Sequence, residues 1–109
     1  MENNPTIDTI KEQISNNPVL IYMKGAPNAP QCGFSARAVQ ALMSVGEKFA
    51  YVDILQNPDI RTTLPQYANW PTFPQLWVKG ELVGGSDIIL ELHESGELQT
   101  LIKDAVQPH

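Results

Sequence analysis

Hydrophobic positions change their period along this chain, and each change marks an element. In PTIDTIKEQISNNP the apolar residues Ile7, Ile10 and Ile14 recur at helical spacing, and Asn17-Pro18 stops the helix. VLIYM, Val19 to Met23, is a continuous apolar run, as expected of a strand covered on both faces. The Gly-Ala-Pro-Asn-Ala-Pro stretch after it reads as a loop. From Phe34 to Val45 the helical period returns: Phe34, Ala38, Val39, Leu42 and Val45 form one stripe, closed by Gly46. KFAYVDI then predicts a second strand. Strand, helix and strand in that order make a crossover unit, so the two strands should run parallel.

Downstream, Asn57 is an N-cap candidate with Pro58 at the first helical position, and Pro65 should break or kink that helix. PQLWV and ELVGG flank Lys79-Gly80, a tight turn that predicts a β-hairpin. The last stretch opens on the cap candidates Ser86 and Asp87. It carries Ile88, Ile89 and Leu92, then Leu98, Leu101 and Ile102, with Gly96 dividing two helical pieces. No repeat, low-complexity tract or linker interrupts the pattern. The order α, βαβ, α, ββ, α is that of a thioredoxin-like α/β domain, a four-stranded mixed sheet between helices, spanning residues 1–109.

Composition narrows the function more than the fold. At 109 residues the chain has room for one core. A net charge of −5 without a basic run argues against binding nucleic acid or an anionic membrane. The Val19–Met23 run is too short to span a bilayer, and the amino terminus lacks the basic start and apolar stretch of a signal peptide. A single cysteine cannot close an internal disulfide, which favours a reducing, cytoplasmic setting. His93 and His109 have no ligand-spaced neighbours and make no credible metal site; Met23 and Met43 read as core.

That cysteine, Cys32, lies just before or at the first turn of its helix. Unpaired N–H groups and the helix dipole favour a thiolate there, and the thiolate is the reactive form. A buried, inert cysteine is the alternative, but two prolines and Gly33 around it favour a reactive one.

Cys32-Gly33-Phe34-Ser35 is a CGFS sequence. With MKGAPNAPQ before it, and YVDILQNPDIR and NWPTFPQLWVKGELVGGSDI after it, the chain resembles the monothiol glutaredoxins, of the short single-domain bacterial type, over nearly its whole length. The resemblance implies glutathione binding, a two-iron, two-sulfur cluster held between two subunits of a homodimer, and complexes with BolA-like proteins. Cys32 is then both the nucleophile and the protein's cluster ligand. Ser35 stands where dithiol relatives carry a second cysteine, so a mixed disulfide on Cys32 must be released by an outside thiol.

The resemblance also places the glutathione site. Lys24 and Arg61, otherwise ordinary surface cations, would hold carboxylates, Arg61 taking the glycyl end. Pro74 would be the cis proline facing the cysteine, leaving the Phe73 backbone to pair with the tripeptide. Ser86 and Asp87 would take the γ-glutamyl end, by backbone N–H groups and by the Asp87 carboxylate; otherwise Asp87 is simply a cap. Ser86 stands where the family often has cysteine. Trp70 either shields the site or packs. Two chains and two glutathiones would supply the four thiolates such a cluster commonly takes, and a cluster so held should pass to iron–sulfur acceptor proteins. The alternatives are a glutathione-dependent oxidoreductase acting on glutathionylated proteins, and a regulatory adaptor for a BolA-like partner. The seven-residue loop from Gly25 to Gln31 resembles a family feature that hinders approach of a second glutathione.

Overall fold

The structure, a computed structural model, describes residues 4–107; His109 lies outside them. Helix α1 (Pro5–Asn16) starts at Asn4, whose side chain accepts the Thr6 N–H at 3.0 Å, and turns Ile10 and Ile14 inward. Strand β1 (Val19–Met23) follows, with all five side chains buried as its sequence predicts. Alternation splits them. Val19, Ile21 and Met23 enter one core and Leu20 and Tyr22 the other. Burying each large apolar side chain contributes roughly 1.5–3 kcal/mol, so β1 is the strand around which both cores close.

The loop after β1 contains more order than its composition suggests. Two-residue strands, β2 (Gly25–Ala26) and β3 (Ala29–Pro30), pair antiparallel, and the Gln31 N–H donates to the Lys24 carbonyl at 2.9 Å. Gly25 has φ +91, and a Cβ there would lie 2.5 Å from the Ala29 carbonyl oxygen, so only glycine closes this ribbon.

Helix α2 (Gly33–Val45) differs from the expected stripe by one position. Ser35, Ala38, Val39 and Leu42 are the residues buried at helical spacing, while Phe34 is 58% exposed. Apolar counting preferred Phe34; one residue on, Ser35 turns inward because the Lys24 N–H donates to its hydroxyl at 3.1 Å, which satisfies a buried polar group. Met43, expected in the core, is 54% exposed: it sits about 100° round the helix from Leu42, off the stripe.

Strand β4 (Ala50–Asp53) pairs parallel with β1, in the register Leu20 to Ala50. Helix α3 (Pro58–Ala68) begins after Asn57, which occupies the cap position but turns its amide back to the Asp53 carbonyl at 2.9 Å instead of capping. Pro65 does not end α3. The bond it forfeits belongs to the carbonyl of Arg61, an exposed residue, and the helix continues to Ala68 before Asn69 closes it with φ 52. Strands β5 (Gln75–Val78) and β6 (Glu81–Gly84) form the predicted hairpin, with positive φ at both Lys79 and Gly80.

Helices α4 (Ser86–Ser95) and α5 (Glu97–Val106) meet at Gly96, φ +82, as the sequence indicates. The cap of α4 is Gly85, so Ser86 and Asp87 are its first helical residues rather than caps. The four-stranded sheet runs β4-β1-β5-β6. Residues of α2, α4 and α5 cover one face and those of α1 and α3 the other, the thioredoxin-like arrangement expected. Among the described residues no helix is long and apolar enough to cross a membrane.

Candidate functional site

Where β1 ends, the chain is pinned from three sides. The Lys24 N–H donates to Ser35 Oγ at 3.1 Å, its carbonyl accepts from Gln31, and the Gly25 N–H donates to Asp53 Oδ1 at 2.9 Å. This fixes the strand end relative to the start of α2 and sets the Lys24 ammonium stem near Cys32. Cys32 is the N-cap of α2, in extended conformation (φ −152, ψ 139), and its carbonyl accepts the Ala36 N–H at 2.9 Å. Its thiol is partly exposed.

The environment lowers the Cys32 pKa. The main cause is the Ser35 backbone N–H at the open end of the helix; burial opposes it, and the Phe34 N–H, the Lys24 charge and the Ser35 hydroxyl reinforce it. Gly33, the first residue of α2, faces open space: beyond its chain neighbours, a Cβ there would meet nothing within 4 Å.

Cys32 opens on a cleft of about 640 Å3 whose walls come from five parts of the chain. Lys24 and Cys32 form one side, Arg61 and Pro65 of α3 another. The Trp70–Phe73 loop forms the third side, and Gly85 to Ile88 at the start of α4 the fourth. Six of the seven residues expected from the sequence therefore converge: Lys24, Cys32, Arg61, Phe73, Ser86 and Asp87. The seventh, Pro74, is buried behind the wall, and the Phe73–Pro74 bond is cis.

Polar groups in this cleft are left open. Trp70 Nε1 and Ser86 Oγ are buried without a hydrogen-bond partner. Gly85 offers no side chain to cap α4, so the N–H groups of its first turn have no intrahelical acceptor. Among the described residues Lys24 and Arg61 take part in no ion pair, and the pair found is Lys79–Asp104, at 3.1 Å. Two helix N-termini and two cations thus face one cleft of an acidic chain, with Asp87 as the opposing charge. The arrangement suits a small ligand that carries carboxylates together with an ammonium group.

No group of three or more His, Cys, Asp or Glu residues among those described could hold a metal ion, and His93 stands exposed in the last turn of α4. Sequence reasoning passed over Pro65, Thr72, Gly85 and Ile88, which also line the cleft. A Cβ on Gly85 would make ordinary contacts with the Pro74 carbonyl oxygen, at 3.4 Å, and with Trp70 Nε1, at 3.5 Å, which places this residue between the loop wall and the start of α4.

Fold and site together define a thioredoxin-like protein with a single activated thiol at a helix N-terminus. Residues 19–83 match the Glutaredoxin family model. The chain is 70% identical over 99 residues to "Glutaredoxin 4" of Escherichia coli, covering 91% of this chain and 86% of that one. It is 72% identical over 99 residues to "Glutaredoxin 4" of Pasteurella multocida, covering 91% of each. Among solved structures, that of reduced poplar apo GrxS14 superimposes with a TM-score of 0.77 at 43% identity, covering 91% of each chain. The chain belongs to the glutaredoxin family.

Proposed function

We propose that this chain binds glutathione in the Cys32 cleft and, as a homodimer, holds a two-iron, two-sulfur cluster as cargo for iron–sulfur acceptor proteins in the cytoplasm. The observation that carries the reading is the meeting of an activated thiol with unpaired cations and free helix-start N–H groups in one cleft. Arg61 would hold the glycyl carboxylate, and Lys24 a carboxylate beside Cys32. Phe73, beside Pro74, would pair with the tripeptide backbone. The first N–H groups of α4 at Ser86 and Asp87 would take the γ-glutamyl carboxylate, and the Asp87 carboxylate its ammonium. With the tripeptide seated this way its sulfur lies beside Cys32.

One chain offers one thiolate, and such clusters commonly take four. Two copies and two glutathiones complete the set. Half of the ligands are then held only by non-covalent contacts, which favours release of the cluster to an acceptor or sharing of it with a BolA-like partner.

Anaerobic visible spectra and size-exclusion chromatography test this. The protein with glutathione should be brown and dimeric, and Cys32→Ser colourless and monomeric. Retention of the colour by Cys32→Ser would remove the proposal.

The lowered thiol pKa also favours a second reading. The Cys32 thiolate attacks the glutathione sulfur of a glutathionylated protein and expels the protein thiolate; a second glutathione thiolate then releases glutathione disulfide and restores Cys32. The structured β2–β3 ribbon on the approach to Cys32 argues for slow release, and sustained turnover in a glutathione-coupled assay would reverse the ranking.

A further inference from the structure

Gln75 is the first residue of β5 and is fully buried, an unusual place for a side-chain amide. Every polar atom of that amide is engaged. Nε2 donates to the Trp70 carbonyl at 3.0 Å and to the Thr72 carbonyl at 3.3 Å, while Oε1 accepts the Trp77 indole N–H at 3.2 Å. The chemistry of the partners fixes the amide's orientation, because two carbonyls can only accept and an indole N–H can only donate. Trp77 is in turn stacked on Tyr67 of α3, ring centroids 6.5 Å apart. No other side-chain hydrogen bond among the described residues reaches the carbonyls of the Trp70–Phe73 loop.

That loop is one wall of the cleft. It carries the Trp70 indole, whose N–H is unpartnered beside Gly85, and the Phe73 backbone. The geometry points to Gln75 as a positioning residue for ligand binding: its amide sets the Trp70–Phe73 wall against the start of α4, and so sets the width of the cleft. It touches no ligand itself and acts through Trp70 and Phe73. Leucine or methionine would fill the same space with no grip on the loop, and glutamate would press a carboxylate against two carbonyls. The inference rests on the glutathione reading for its ligand, but its first readout does not need one.

The Trp70 indole N–H resonance of the 15N-labelled protein reports the wall directly, and Trp77→Phe assigns it by removing the other indole. In Gln75→Met the Trp70 resonance should shift and broaden. The Kd for glutathione, by calorimetry, should weaken about tenfold, since a wall no longer held must be ordered when the ligand binds. The pH profile of Cys32 alkylation should stay in place, since the groups that tune the thiol are on α2 and at Lys24, just past β1. Trp77→Phe, which loses the indole bond but keeps both loop bonds, should hold glutathione within about twofold of the parent chain. A folded Gln75→Met with an unmoved Trp70 resonance and unchanged Kd overturns the assignment, as does equal loss of affinity in both variants.

If Gln75→Met does not fold, Gln75→Glu decides by pH. Protonating the introduced carboxyl restores one donor, so the Trp70 resonance should return toward its parent position in acid; a flat response overturns the inference. A parent chain that binds no glutathione sinks the functional reading alone, with the Trp70 resonance still judging Gln75.

Discussion

A thiol at a helix cap is tuned by what surrounds it, and the ranking of causes at Cys32 is itself testable. Its pKa is lowered chiefly by the Ser35 backbone N–H, with the Lys24 charge a lesser contributor. Iodoacetamide should therefore alkylate native Cys32 at a pH where the urea-unfolded chain is slow. Lys24→Gln should move the midpoint upward only slightly, because the N–H groups remain; a large move would transfer the leading role to the ammonium. The sign for stability follows. The native thiol ionises before the unfolded one, so between the two pKa values the unfolded chain binds more protons and stability rises with pH. Compared with Cys32→Ser, this increment is complete above the ordinary thiol range and is lost as pH falls through the native pKa. Ser35 carries a different load. Ser35→Ala leaves the Lys24 N–H without its buried acceptor, which costs about 1–3 kcal/mol in urea denaturation and shifts the alkylation profile little, since the hydroxyl is the smallest of its influences.

Among the elements, β2 and β3 are where composition misled. GAPNAP contains two prolines and reads as irregular, yet its backbone closes a ribbon, because Gly25 takes φ +91 and the carbonyl of Lys24 and carboxylate of Asp53 accept the neighbouring N–H groups. Such satisfaction depends on Asp53, 28 positions away, and no local pattern records it. The same blindness put Phe34 instead of Ser35 at the head of the α2 stripe, whose other members hold, since a serine bonded to a distant strand end is invisible to a count of apolar positions. Where period alone decided, at β1, the crossover to β4, the β5–β6 hairpin and the Gly96 break, the elements were legible. Lys24, Cys32, Arg61, Phe73, Ser86 and Asp87 were legible through the resemblance, whereas Pro65, Thr72 and Ile88, which carry neither a charge nor a thiol to single them out, line the cleft through packing. Gly25→Ala tests the ribbon. It forces a Cβ to within 2.5 Å of the Ala29 oxygen at positive φ, and should lower stability by about 1–3 kcal/mol, with protease sensitivity appearing between Gly25 and Gln31. Stability within experimental error of the parent would show that the ribbon yields without cost.

At the scale of the whole molecule, charge is divided against itself. The chain carries −5, while its cleft presents Lys24, Arg61 and two helix N-termini. On the proposed reading, glutathione binding and dimer formation should therefore answer salt in opposite directions. Salt shortens the reach of each field, to about 10 Å at 0.1 M. Screening weakens the attraction of the cleft for glutathione carboxylates, so the Kd should rise with ionic strength, and Arg61→Gln should both weaken binding and flatten that slope. Two acidic copies brought together repel each other, and screening relieves the repulsion. With glutathione held saturating, the cluster-bearing dimer measured by sedimentation should accordingly be favoured as salt rises from 20 to about 200 mM, the range over which screening grows most. Loss of the dimer over that range would mean that the two copies meet through complementary charges, and that the acidic surface is not what keeps them apart.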